Sequence, residues 1–109
     1  MPDGQRWTVR DRFGNAIYLT QERWEHIIDS INHPEMAAFE EELKDAIRIG
    51  QRKQDLLSPR KYRYVKAFSG LAGDNTHIVA IVLFGLSEDE QGRPVPNNYI
   101  VTAYQKEIG

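Results

Sequence analysis

Residues 76–85 read THIVAIVLFG, and the fold follows from how this stretch is read. Nearly every side chain is apolar and many are β-branched. Such a run marks a central strand that is covered, at least in part, on both faces. Working outward, residues 98–105 (NYIVTAYQ) form the last strand and residues 61–68 (KYRYVKAF) the one before. Residues 51–57 form a shorter strand that Ser58-Pro59 breaks. The connections, residues 69–75 with Gly70 and Gly73 and residues 87–97 with two prolines and a glycine, are polar loops. Connections of this length predict a mainly antiparallel sheet.

Ahead of the sheet the period changes. Residues 6–10 and 16–19 read as two short strands, joined by the turn cluster Asp11-Arg12-Phe13-Gly14-Asn15 into an N-terminal hairpin. Thr20 caps a helix that runs to about Ile31, with Trp24, Ile27, Ile28 and Ile31 as its buried stripe. His33-Pro34 opens a second helix with proline at its first position. Its stripe is Met36, Phe39, Leu43, Ala46 and Ile47, with Glu40 and Lys44 paired four apart, and Gly50 stops it. The expected fold is α+β: two N-terminal helices on one face of a mainly antiparallel sheet of about four strands, with an N-terminal hairpin. Trp24, Ile27, Phe39, Leu43, Ile47, Ile78, Val82 and Val101 are expected to be buried together.

The 109 residues bound the chain to a single domain, residues 1–109. A composition of 40% hydrophobic and 28% charged residues is that of an ordinary soluble protein. With no cysteine, disulfides and thiolate metal sites are excluded. No apolar run is long enough to span a bilayer as a helix, and Met1-Pro2-Asp3-Gly4-Gln5 lacks a signal pattern, so a cytoplasmic location without membrane association is expected.

The net charge of −2 hides an imbalance. Between Lys44 and Lys66 eight basic residues face two acidic ones, a net +6, whereas the remainder holds six basic and fourteen acidic residues, a net −8. Tyr62, Tyr64 and Phe68 alternate within the basic stretch. Cations interleaved with aromatics can hold phosphates and stack bases. The same pattern also describes a sheet edge kept soluble by charge.

No Walker loop, dinucleotide glycine pattern, GxSxG or HExxH string is present. His26, His33 and His77 are too widely spaced, with no acidic residue at ligand spacing, to read as a metal site, and neither metal nor cofactor is expected. On a helical wheel His26 points away from the apolar stripe, as a surface residue does. His33 can cap the second helix. His77 opens the apolar strand, where it can be a hydrogen-bonded residue at a sheet end. On the last strand Ile100, Thr102 and Tyr104 share one face, and Tyr99, Val101 and Ala103 the other. The small apolar set suits the helices, which leaves Thr102 and Tyr104 for function. For residues 61–68 alternation does not decide whether Lys61/Arg63/Val65/Ala67 or Tyr62/Tyr64/Lys66/Phe68 faces the helices.

The order of the segments YLTQERWEHII, HPE, QDLLSPRKYRYVKAF, THIVAIVLFG and NNYIVTAYQ resembles small bacterial and phage-associated proteins of the barnase–EndoU–colicin–RelE nuclease superfamily, over about residues 6–106. The resemblance implies a ribonuclease-like fold that cleaves RNA without metal by general acid/base chemistry. It points to His26, Arg63 or Lys61, Thr102 and Tyr104, and the expected catalytic residues are His26, Arg63, Thr102 and Tyr104, with Lys61, Tyr64, Lys66 and His77 expected to bind substrate. It implies RNA as a partner, together with an inhibitory protein. Cleavage needs a base for the 2′-OH proton, an acid for the leaving 5′-oxygen, and cations for the charge that grows on phosphorus. Histidine suits the first two roles and arginine the third. The alternatives are a module on the same fold that binds RNA or protein without cleaving, and an interaction protein whose basic strand meets an acidic partner. Proximity of His26 to Arg63, Thr102 or Tyr104 favours the enzyme; an isolated His26 favours binding.

Overall fold

The computed structural model describes residues 4–108. Along the chain run β1 (Gln5–Arg10), β2 (Ala16–Thr20), α1 (Gln21–Ile27), a 3-10 turn (Pro34–Ala38), α2 (Glu40–Ile49), β3 (Gln51–Gln54), β4 (Lys61–Ala67), β5 (His77–Glu88) and β6 (Pro94–Lys106). The strands form one sheet in the order β1-β2-β6-β5-β4-β3. Every pairing is antiparallel except the short parallel one between β2 and β6, where Ile17 lies beside Asn98 and Tyr18 beside Tyr99.

This corrects the expected sheet. It is mixed and six-stranded, with only two short α-helices on it, rather than two N-terminal helices on a mainly antiparallel sheet of about four strands. The N-terminal hairpin does not stand apart. Ile17 and Leu19 of β2 are fully buried, so the hairpin extends the same sheet and the same core. The stretch after α2 pairs as β3 along β4, Arg52 opposite Tyr64 and Lys53 opposite Arg63.

The helices end early for local reasons. Thr20 caps α1 as expected, accepting from the Arg23 N–H. After Ile27, however, the Asp29 carboxylate accepts the Ile31 N–H and Asn32 Nδ2 donates to the His26 carbonyl. Side chains that bond the backbone in this way compete with the helix ladder, and Ile31 is left 87% exposed. Proline 34 opens only a 3-10 turn, and α2 begins at Glu40. Glutamates 40, 41 and 42 fill its first turn, where the helix dipole favours negative charge. Glu40 also accepts from Trp7 Nε1 (2.7 Å) and from Arg6, tying α2 to β1. Lys44 therefore pairs with Glu41 rather than Glu40.

The central strand is longer than expected. β5 and β6 continue to Glu88 and from Pro94, and only a tight turn separates them. There Asp89 accepts the N–H groups of Gln91 and Arg93, and Gly92 takes a positive φ of 77°. Pro94 and Pro96 fit in β6 because its other edge has no strand partner there.

One face of the sheet carries the core: Trp24, Ile27, Leu43, Ala46 and Ile47 of the helices against Ile17, Leu19, Tyr64, Ile78, Ala80, Val82, Ile100 and Ala103. Phe39 is only partly buried against it. Val101 does not join it. Ile81 pairs with Thr102 and Val82 with Ile100, so Val101 is the extra residue of a β-bulge. The bulge resets the alternation. Asn98 and Ile100 before it, and Ala103 and Gln105 after it, are buried towards the helices.

Gly50 joins α2 to β3 with an ordinary φ of −69°. Its requirement is space. A Cβ there would run into the Ala46 carbonyl oxygen and lie 2.9 Å from that of Val65. Gly50→Ala is expected to cost about 2 kcal/mol or more, as overpacking against backbone does. A urea titration checks this; a midpoint shift worth less than about 0.5 kcal/mol would contradict it.

Candidate functional site

The face of the sheet away from the helices is open around Arg63 but not at Val79, which is buried on it, and its residues follow from strand alternation. β4 turns Tyr62 and Tyr64 towards the core, which resolves the ambiguity of residues 61–68 and leaves Lys61, Arg63 and Val65 on the open face. Lys53 of β3 lies opposite Arg63, Arg63 opposite Ile81, and Ile81 opposite Thr102, making one row across four strands. A second row runs Lys61, Leu83, Tyr99, Tyr18, with the Tyr18 and Tyr99 rings 5.9 Å apart. A third runs Val65, Val79, Tyr104.

A cleft of about 340 Å³ opens where Lys53, Lys61, Arg63 and Ile81 meet the β3–β4 loop. The loop is held by its own bonds. The Asp55 carboxylate accepts the N–H groups of Leu57 (2.7 Å) and Ser58 (3.0 Å), and Gln54 donates to the Pro59 carbonyl. Leu56 and Leu57 project from it, 92% and 94% exposed.

The basic segment is divided by the fold. Lys44 pairs with Glu41, Arg48 with Asp45, and Arg52 lies 3.8 Å from Asp11. Lys66 sits over the Phe68 ring and donates to the Ala67 carbonyl. Among the described residues Lys53, Lys61 and Arg63 take part in no ion pair. Arg60, beside Phe84 and Gly85, is likewise in no ion pair among the described residues. Opposite charge within reach would cancel their field, so Lys53, Lys61 and Arg63 are the cations of the open face free to meet an anion.

The expected site residues do not gather in one place. Arg63 and Thr102 share the first row, with Ile81 between them, and Tyr104 lies on the same face. Lys61 lines the cleft. Tyr64 is fully buried on the opposite face, its hydroxyl donating to Asp11 at 2.6 Å. Lys66, opposite Ile78, also belongs to the helix side. His77 stands at the start of β5, its Nδ1 2.6 Å from the Thr76 hydroxyl. His26 is exposed in the last turn of α1, and among the described residues no hydrogen bond joins its ring to Arg63, Thr102 or Tyr104.

His33 is the histidine that reaches Tyr104: the ring centroids are 5.6 Å apart. It occupies the N-cap position of the 3-10 turn but makes no side-chain cap bond. Its backbone is pinned instead, the N–H donating to Ile27 and the carbonyl accepting from Met36. The imidazole is thus left to Tyr104 and to Glu35, whose carboxylate lies 3.6 Å from Nδ1. Beyond Tyr99, β2 no longer pairs with β6, and the 3-10 turn packs beside β6 there. Sequence reasoning passed over His33 because a histidine before proline reads as a cap. It passed over Lys53 because its place beside Arg63 depends on the register of a loop-closed hairpin.

Among the described residues no three His, Asp or Glu side chains come together as a metal site, and no helix is long and apolar enough to cross a membrane. Comparison of the chain with protein-family models, with curated proteins and with solved structures gives no match.

Proposed function

We propose that this domain binds single-stranded RNA across the open face of its sheet. The carrying observation is that Lys53, Lys61 and Arg63 share that face with no ion pair among the described residues, beside apolar Ile81 and on the same face as the half-buried rings of Tyr99 and Tyr104. Cations attract the phosphates, and Tyr99 and Tyr104 offer rings to the bases. Lys53 to Thr102 spans three strand spacings, roughly 14 Å, enough to engage more than one nucleotide. The resemblance of the segment order to RNA-cleaving proteins supports the same reading, and the isolation of His26 favours binding over cleavage by that residue.

Anisotropy titrations with a labelled single-stranded RNA over a range of salt test this. Affinity is expected to fall steeply with salt, and Arg63→Ala to lower the slope of log K against log salt by about 0.7. Lys66→Ala, on the opposite face, is expected to leave the slope unchanged. Binding that ignores salt, no binding at low salt, or equal effects of the two substitutions would each count against the proposal.

A second reading adds cleavage, and the His33–Tyr104 contact favours it. His33 takes the proton of the 2′-OH, the 2′-oxygen attacks phosphorus, and the 5′-oxygen leaves as its bond to phosphorus breaks and a proton is returned to it. The products are a 2′,3′-cyclic phosphate and a 5′-hydroxyl.

A further inference from the structure

We propose that the free edge of β3 accepts an acidic, extended segment of a partner protein as a seventh strand. This goes beyond the RNA reading: it shares Lys53 and Arg63 with it and adds the unpaired backbone of the edge strand. β3 ends the sheet, so alternate residues of Gln51–Gln54 turn their backbone N–H and C=O groups to the outside. Such an edge is a template for another strand unless something blunts it. It is blunted here by its four-residue length and by positive charge, with Lys53 on the open face backed by Arg63 in the next strand. Positive charge repels a second copy of the same edge and attracts an acidic one.

The flanks of the edge say what else the partner carries. On the helix side Arg52 lies under the Phe13 ring, 4.2 Å from its centroid. Phe13 is 57% exposed and Ile49, just before the strand, 54%. On the loop side Leu56 and Leu57 are almost wholly exposed. A strand added to β3 alternates between the two faces. Carboxylates on its open-face side would meet Lys53 and the cations of the cleft, while apolar side chains on the other would cover Phe13 and Ile49. The other sheet end differs. On β1, Arg6 is bound to Glu40 and Gln21, and Arg10 to the Gly14 carbonyl, so its cations are already engaged.

A capped peptide of alternating glutamate and valine, about six residues long, the common length of a strand, is the probe. Titrated into the labelled full chain, it is expected to shift the amide signals of residues 51–57 and to slow exchange of the outward-facing amides of β3. Lys53→Glu is expected to weaken it at least about tenfold while leaving the spectrum elsewhere unchanged. A peptide with lysine for glutamate is expected not to bind. Equal binding of a peptide N-methylated on its β3-facing amides would mean that charge alone drives the contact, and would overturn the strand. Shifts that map to β1, or no binding at millimolar peptide, would overturn it as well. RNA binding is measured separately on the same sample, so the two proposals fail independently.

Discussion

Asp11→Ala will lower the stability of the domain by about 3 kcal/mol or more, the usual cost of taking one member out of a buried charged cluster. The Asp11 side chain is fully enclosed. It accepts the N–H groups of Phe13 (2.9 Å) and Asn15 (2.8 Å), the Asn15 side-chain amide (3.0 Å) and the Tyr64 hydroxyl (2.6 Å), with the Arg52 guanidinium 3.8 Å away. These bonds fix the β1–β2 turn and lock it to β4. Without the carboxylate, the Tyr64 hydroxyl is buried without its acceptor and Arg52 loses its one acidic partner among the described residues. Tyr64→Phe removes one donor and leaves Asp11 three others, so it is expected to cost about 1 kcal/mol. Urea titrations of the two variants measure the difference. Equal costs would mean that the cluster does not act as described.

The same carboxylate sets the acid limb of stability. Burial is the largest influence on Asp11 and disfavours its charge. The hydrogen bonds from Tyr64, Asn15 and Phe13 together outweigh burial, and hold its pKa below the ordinary value. A depressed folded pKa contributes stability that is complete above the unfolded value, about 3.9, and is lost as pH falls through the folded one. Asp11→Asn is therefore expected to flatten the loss of stability below about pH 4. Tyr64 moves the other way: burial first, and then its bond to Asp11, raise its pKa, so its contribution is full below pH 10 or so and is lost only in strong alkali.

The second large effect is on rate. If the domain cleaves RNA in EDTA, His33→Ala is expected to slow it about a hundredfold or more, the usual weight of a general base or acid. Affinity and stability are expected to change little, because the His33 side chain is partly exposed and caps nothing. A positioning role would leave the pH–rate profile intact. A catalytic one changes it. His26→Ala is expected to leave the rate unchanged. Activity that survives His33→Ala but falls with His77→Ala would move the chemistry to the start of β5. A wild-type chain that cleaves no RNA ends this reading and leaves the binding proposal standing.

Local signals carried part of this fold. The apolar, β-branched run 76–85 is a central strand, with β4 on one side and β6 on the other. The stripe Leu43, Ala46, Ile47 is buried because a helix presents those positions to one side. The Thr20 cap and the N-terminal hairpin form within a few residues of chain, where sequence reading is strongest. The candidate site was less legible. One inserted residue, Val101, reverses the alternation of β6, and no period-two reading of NYIVTAYQ reveals it. Tyr64, grouped by composition with the basic strand, is buried and bonded to an aspartate far away in the chain.

By itself the sequence determined the α+β character, the central strand, the faces of the short helices and a basic segment on an acidic body. These depend on side-chain periodicity and on bonds between near neighbours. The tertiary structure decided that β2 joins the sheet beside β6 and that three of the eight basic residues of that segment share an open face with no ion pair among the described residues. It also decided that His33, rather than His26, meets Tyr104. Each of these depends on strand register and on contacts between residues far apart in the chain. Their free energy is settled by packing the whole core at once rather than by any local stretch.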